Sequence, residues 1–295
     1  MQDVSTGQVV LEPIQRSPGY WATVWTRFKR DPVAVGAGLV VIALVLMAIF
    51  APYIAPQDPY KGMALRRLRP PGTEGYPLGT DELGRDMLSR LIYGARLSLF
   101  MGVTPVLMAL VAGAAIGITA GYTGGWVNTL LMRIVDIFFA FPSVLLAIAL
   151  SGALGAGIAN GLISLTVVFI PPIARVAESV TTSVRTRDYV EAARASGAGS
   201  LAIIRKHVLG NVLGPIFVYA MSLIAVCMIL ASGLSFLGLG VKPPEPEWGL
   251  MLNTLRTAIY TQPLLCALPG LMIFITSIAF NLLTDGLRSA MDLKA

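Results

Sequence analysis

Polar and apolar residues in this chain are sorted into long blocks rather than interleaved. No charge falls between Asp31 and Asp58, and the run from about Val33 to Tyr53 meets the roughly 20 mostly apolar residues that a bilayer-spanning helix needs. Five further runs follow: Leu97 to Ala120, Leu130 to Leu150, Leu162 to Ala177, Val212 to Leu239 and Leu264 to Leu283. The pattern predicts an all-α membrane protein with six transmembrane helices. A glycine-rich turn at 121–128, a Gly/Ala/Asn break at 151–161 and a Pro- and Glu-bearing loop at 241–249 separate the later runs. The predicted organisation is an N-terminal segment at 1–31, a first helix at 32–55, a loop region at 56–96, a five-helix core at 97–288 with a polar elbow at 185–211, and a tail at 289–295. About thirty mostly polar residues precede the first run, which is long enough to span, so it reads as an uncleaved span rather than a signal peptide.

Composition agrees with lipid as the solvent. Only 13% of the residues are charged and 55% are hydrophobic, against about 25% charged in a soluble domain. The net charge of +6 comes from basic residues in the loops between apolar runs, which suits lipid headgroups and membrane orientation rather than nucleic acid. Arg16, Arg27, Lys29 and Arg30 precede the first run, and Arg175, Arg185, Arg187, Arg194, Arg205 and Lys206 flank or lie in the elbow. Four spans separate the two groups, so both face one side, and the positive-inside rule makes that side cytoplasmic, with both termini there. The loop from Pro56 to Arg96 runs against the rule, with Lys61, Arg66, Arg67, Arg69, Arg85, Arg90 and Arg96 on the outward side, offset by five acidic residues. Cys227 and Cys266 both fall in apolar runs and form neither a disulfide framework nor a metal-ligand pattern. Gly113, Gly117 and Gly121 repeat every four residues, a spacing that lets another helix approach closely. Pro142, Pro171 and Pro172 are placed to kink helices or free carbonyls.

The elbow, "DYVEAARASGAGSLAIIRKHVLGN" at 188–211, is too polar to span and too patterned for a plain linker. Asp188 is predicted as an N-cap with Glu191 three residues on, as in a capping box. Gly197 is the expected C-terminal stop, Gly199 loosens the turn, and Ser200 is predicted to cap a second helix. Leu201, Ile204 and Val208 then share one face, with Arg205 and Lys206 elsewhere. On the residues alone, Glu191 either caps its own helix or also meets a partner. The stretch resembles the EAA loop of binding-protein-dependent permeases, the membrane subunits of ABC importers. Glu191-Ala192-Ala193, Gly197 and Leu209 match that pattern, His207 falls in its second half, and Gly210 stands where the family usually has proline. The resemblance implies that Asp188, Glu191, Ala192, Ala193, Gly197, Arg205 and His207 belong to a coupling element seated in a groove of a cytoplasmic ATPase.

Four further stretches resemble the dipeptide, oligopeptide and nickel permease group: "LGTDELGRDMLSRLIYGARLSL" at 78–99, "MRIVDIFFAFPSVLLAIAL" at 132–150, "SFLGLGVKPPEPEWG" at 235–249 and "FNLLTDGLR" at 280–288. Within the first, Gly79, Thr80, Asp81, Gly84, Arg85 and Asp86 lie outside the bilayer, and the spacing of Asp81, Arg85, Asp86 and Arg90 suits a helix surface laced with ion pairs. That stretch either holds its own loop together or docks an extracytoplasmic binding protein. Within the second, Arg133 and Asp136, one turn apart, are predicted to pair near the cytoplasmic end of the third span, a role along the transport pathway being the alternative, since an unpaired ionisable group within a membrane is costly. The resemblance implies the type I ABC importer permease architecture in a bacterial inner membrane.

No Gly-x-x-x-x-Gly-Lys-Ser/Thr loop, dinucleotide fingerprint, His/Cys cluster or nucleophile elbow occurs. The chain is therefore expected to be a transport subunit rather than an enzyme. No cofactor is expected on it, ATP and Mg belonging to separate ATPase subunits. The partners implied are a second homologous permease, two cytoplasmic ABC ATPases, an extracytoplasmic solute-binding protein and membrane lipids, with no nucleic acid. Dipeptides and oligopeptides are the expected solutes, and nickel, glutathione and opines travel through relatives of this kind. A non-transporting scaffold would bind a different soluble partner through the elbow, and an ion-driven transporter would need ionisable residues deep in its spans.

Overall fold

The computed structural model describes residues 20–291. Arg16, most of the predicted 1–31 segment and the last four residues of the predicted tail lie outside the described residues. A short helix absent from the sequence expectation, α1 (Tyr20–Phe28), comes first. Val24 and Phe28 bury against Ala34 and Ala290 at the far end of the chain. Asp31 then caps α2 (Pro32–Ile49), accepting from the backbone N–H groups of Val33 and Ala34 at 3.0 and 3.1 Å, with Pro32 in the first turn where its missing N–H costs nothing. A one-turn helix α3 (Ala51–Ile54) leads into the loop.

The second apolar run belongs to a longer helix than hydropathy indicates. Helix α4 (Met87–Thr123) starts ten residues before Leu97 and includes Ser89, Arg90 and Arg96. These polar residues are tolerated because each finds a tertiary partner. Arg96 donates to the carbonyls of Ala48 and Ile49 at 2.6 and 3.0 Å, satisfying the open end of α2, and stacks over Tyr93.

The predicted third span is broken. Helices α5 (Gly125–Phe139) and α6 (Ser143–Leu154) bend by 86° at a break that contains Pro142. Among the described residues, five helices are thus long and apolar enough to cross a membrane, or six when the bent pair counts as one span. By contrast, Pro171 and Pro172 sit inside α7 (Ile158–Arg185), which continues eight residues past the expected end at Ala177. The elbow comprises α8 (Asp188–Ala195) and α9 (Ser200–Ile203), the latter followed by a π-turn at Ile204–Val208 that runs straight into α10 (Leu209–Phe236). After the 237–247 loop come the short helix α11 (Trp248–Leu255) and the long α12 (Pro263–Met291). No β-strand is present among the described residues, only three isolated bridges in the 62–86 loop.

The glycine repeat sets the central contact. A Cβ on Gly113 would lie 3.0 Å from the Ile170 carbonyl oxygen and one on Gly121 2.6 Å from that of Glu178. One on Gly117 would collide with the Ala174 carbonyl. Backbones of α4 and α7 therefore pack directly, as the spacing predicts. Against this pair lies α10, where Met228 fills the space above Gly102. α11 wedges in at the opposite end from the elbow, with Trp248 fully buried and its indole N–H donating to the Leu91 carbonyl at 3.0 Å. The bundle has two dissimilar ends. One carries α1, the turn at Gly124, the elbow and the C-terminus of α12; the other carries the 56–86 loop and the 237–262 segment.

Candidate functional site

The elbow is built on an apolar underside. Val190, Ile203 and Val208 are fully buried and join the main core, with Ala193 and Ala198 packed beside them. Gly197, with φ +79, lets Gly197 N–H reach the Arg194 carbonyl and Ala198 N–H reach that of Ala193, at 3.0 and 3.1 Å. This is the paired left-handed stop expected from the glycine.

Other details of the elbow depart from expectation. Asp188 is the first helical residue rather than the cap, a position held by Arg187, and neither Asp188 nor Ser200 makes a capping hydrogen bond. The predicted Leu201/Ile204/Val208 face is also displaced. Leu201 is 70% exposed, and the buried pair is Ile203 and Val208, five apart, because the π-turn adds a residue per turn. His207 stacks obliquely on Tyr189 at 6.4 Å, and its carbonyl accepts from Asn211 at 2.7 Å. Gly210, at the family's proline position, is taken up in α10 with no break.

What the elbow leaves outward is polar and small: Glu191, Ala192, Arg194, Arg205 and Lys206 are exposed, together with Tyr189 and Leu201. The exposed Glu191 carboxylate makes no hydrogen bond or ion pair with a described residue. Such a knob of small and charged residues over a rigid apolar base can fill a groove and transmit a push without deforming.

At the other end, Gly79, Thr80, Asp81, Gly84, Arg85 and Asp86 form a turn, not a helix surface. Arg85 Nε lies 2.6 Å from Asp81 Oδ2, Arg85 Nη2 2.8 Å from Glu82 Oε1, and Arg90 Nε 3.1 Å from Asp81 Oδ2. Asp81, Arg85, Asp86 and Arg90 are all buried, and Asp86 caps α4 by accepting from Ser89 N–H at 2.8 Å. Gly79 and Gly84 adopt φ +78 and +75 while lying against the Arg69 and Met63 carbonyls, where no other residue fits. Arg90 reaches the carbonyls of Pro59 and Pro244 at 3.1 and 3.3 Å, binding the two loops of this end together. These side chains are thus internal to the loop and do not offer themselves to a docking protein. A buried pair of this kind is costly to break, because the surviving charge is left without a partner.

Glu247, which sequence reading passed over, caps α11 through Gly249 and Leu250 N–H groups at 2.9 and 2.8 Å. Burial pushes its carboxyl above the ordinary range, opposed by those N–H groups and by the hydroxyls of Ser235 and Ser98.

The predicted Arg133–Asp136 pair does not form. Asp136 pairs instead with Arg175 of α7, because the helices lie side by side and the carboxylate turns across them, whereas Arg133 stays exposed on α5. Beside the pair, at the bend, Phe138, Phe139, Phe141, Ser143, Pro171 and Pro172 line much of a cavity of about 270 Å³.

A broken span and a helical wedge at the end opposite the elbow belong to a fold that solved ABC transporters share. The inward-facing MetNI methionine ABC transporter shares this fold, with a TM-score of 0.56 at 20% identity over 69% of this chain and 97% of that one. An amino acid ABC transporter also shares it, with a TM-score of 0.51 at 13% identity over 66% and 91%. Residues 113–295 match the family described as binding-protein-dependent transport system inner membrane component, and residues 19–71 match the N-terminal TM domain of oligopeptide transport permease C. The chain belongs to the binding-protein-dependent permease family, a group of multi-pass membrane transport subunits. It is 40% identical to the glutathione transport system permease protein GsiD of Pectobacterium atrosepticum over 99% of this chain and 96% of that protein. It is 42% identical to the di/tripeptide transport system permease protein DppC of Pseudomonas aeruginosa over 92% and 91%. The likeness thus extends through the first span as well as the stretches after it.

Proposed function

We propose that this chain is one of two related permeases in a bacterial inner-membrane importer of short peptides, driven by two separate cytoplasmic ATPases. The observation that carries the reading is the end-to-end likeness to permeases of glutathione and di/tripeptide systems. Glutathione is itself a tripeptide, so both names point to small solutes with a peptide bond and free carboxylates. ATP and Mg belong to the ATPases, and a solute-binding protein delivers cargo at the 56–86 end.

The elbow end faces the cytoplasm. Lys29, Arg30, Arg187, Arg194, Arg205 and Lys206 are exposed there. On the opposite end, Arg85 and Arg90 are held in buried ion pairs and Arg96 on helix carbonyls. The outward loop therefore presents fewer free cations than its composition suggests, which supports the positive-inside orientation. Closure of the ATPases moves the elbow, and the underside of Val190, Ile203 and Val208 carries that motion into α7 and α10. The transporter is biased only by the difference in ATPase affinity between its inward and outward arrangements.

Two substitutions test the coupling in the reconstituted complex. Glu191→Ala removes a free charged contact and Gly197→Val forces a β-branched residue into the left-handed region. Each is expected to lower peptide uptake and ATPase stimulation by loaded binding protein roughly tenfold, the scale of one charged hydrogen bond for Glu191 and of left-handed backbone strain for Gly197. Wild-type stimulation in both variants would overturn the reading.

A further inference from the structure

The Asp136–Arg175 pair is in an unusual place for two charges. Arg175 is ten residues from the elbow end of α7 and Asp136 eleven from the start of α5, so both lie about 15 Å along their helices at 1.5 Å per residue. The pair is not sealed in the core: the Arg175 side chain is 48% exposed and that of Asp136 38%. Arg133, one turn nearer the elbow end on α5, is also exposed and meets no acceptor among the described residues. One guanidinium thus holds the carboxylate while a second lies unpartnered one turn away, both on the outer surface of the chain. Exposed Ile134, Ile137, Phe138 and Phe139 surround them.

Charges set among exposed apolar side chains are costly against lipid, and in transporters they face bundle interiors or water-filled routes. The described residues leave this side of the pair half-exposed. The surface must therefore be completed by another chain, and the space between must hold water or solute.

The geometry points to Arg133, Asp136 and Arg175 as a pathway-lining site that receives the carboxylate of a passing solute, Asp136 holding Arg175 in place when the route is empty. This rests on the importer reading above. Two features favour a carboxylate over a cation. The three side chains carry a net positive charge, and guanidinium forks match carboxylates in two-point hydrogen bonds. The break between α5 and α6 begins four residues beyond Asp136, and Pro171 and Pro172 lie one turn from Arg175. Movement at the bend would open or close the site and shift the adjoining aromatic cavity with it.

The test uses the complete reconstituted transporter and two probes, dialanine and its C-terminal amide. Arg133→Gln and Arg175→Gln are expected to lower dialanine uptake roughly tenfold, the scale of a charged hydrogen bond, while the amide loses far less. The charge swap D136R/R175D restores a brace between α5 and α7 but places the cation on the other helix, so a purely structural pair would regain full dialanine uptake and overturn the inference. A second readout does not depend on transport. In a C227A/C266A background, R133C is expected to react with a charged, membrane-impermeant maleimide; a cysteine there that reacts only with lipid-soluble reagents overturns the assignment. Equal losses for dialanine and amide also overturn it while leaving the importer reading intact. Failure of the wild-type complex to take up any short peptide overturns the importer reading itself.

Discussion

Gly117 shows how a single missing side chain can organise a membrane bundle. Its α-carbon faces the Ala174 carbonyl so closely that even a methyl group would collide. Gly117→Leu is therefore expected to cost at least about 2 kcal/mol through overpacking and backbone displacement, read as a lower melting temperature of the purified subunit in detergent. Gly152→Leu, where an added Cβ meets nothing within 4 Å, should leave melting unchanged. Glu247 offers a test by pH. Its raised carboxyl value means that the folded chain holds this proton more tightly than the unfolded one. Its contribution to stability is then full below the ordinary value of about 4.3 and is lost as pH rises through the folded value. Glu247→Gln should remove that slope, as melting curves from pH 4 to 8 in roughly unit steps would reveal. Sequence reading marked the glycine through its four-residue spacing. It passed over Glu247 because a carboxylate in a proline-rich loop looks solvated until its neighbours are known.

Among the elements, the elbow gives the sharpest contrast between periodicity and packing. A 3.6-residue repeat places Leu201 inward, yet the π-turn at Ile204–Val208 buries Ile203 and Val208 and turns Leu201 out. Ile203→Ala should cost about 2–4 kcal/mol as a core truncation. Leu201→Ala should leave the melting temperature of the isolated subunit unchanged while weakening capture of the ATPase, measured by co-purification. If Leu201→Ala destabilises the subunit as much as Ile203→Ala, the face assigned to the partner is wrong. The existence of two short helices about a glycine was legible in Glu191, Gly197 and Gly199. Their register was not, because an extra residue per turn leaves no mark in a hydrophobic pattern. The bend between α5 and α6 was legible only as Pro142, and prolines 171 and 172, which look as disruptive, stay inside a continuous helix. Proline removes one hydrogen bond wherever it stands, and the surrounding packing decides whether the chain bends there.

At the scale of the whole molecule, one end is a closed network and the other an open handle. Arg90 ties the 56–86 loop to the 237–247 loop, whereas the exposed charges of the elbow, Glu191, Arg194, Arg205 and Lys206, make no ion pair with a described residue. Addition of the ATPases is expected to slow hydrogen exchange across 187–208 and to leave 79–90 unaffected; no change at the elbow would refute the coupling role. The amino-acid sequence by itself determined that the chain lives in lipid, how many apolar stretches it has and where the polar elbow lies. Each follows from local composition and spacing, which survive without knowledge of any distant contact. Tertiary structure alone decided that Asp136 answers Arg175 rather than Arg133, that the charged motif at 81–90 is buried, and that α4 begins at Met87. Charges choose partners by distance through space, and residues 39 apart in the chain become neighbours only when α5 and α7 pack together.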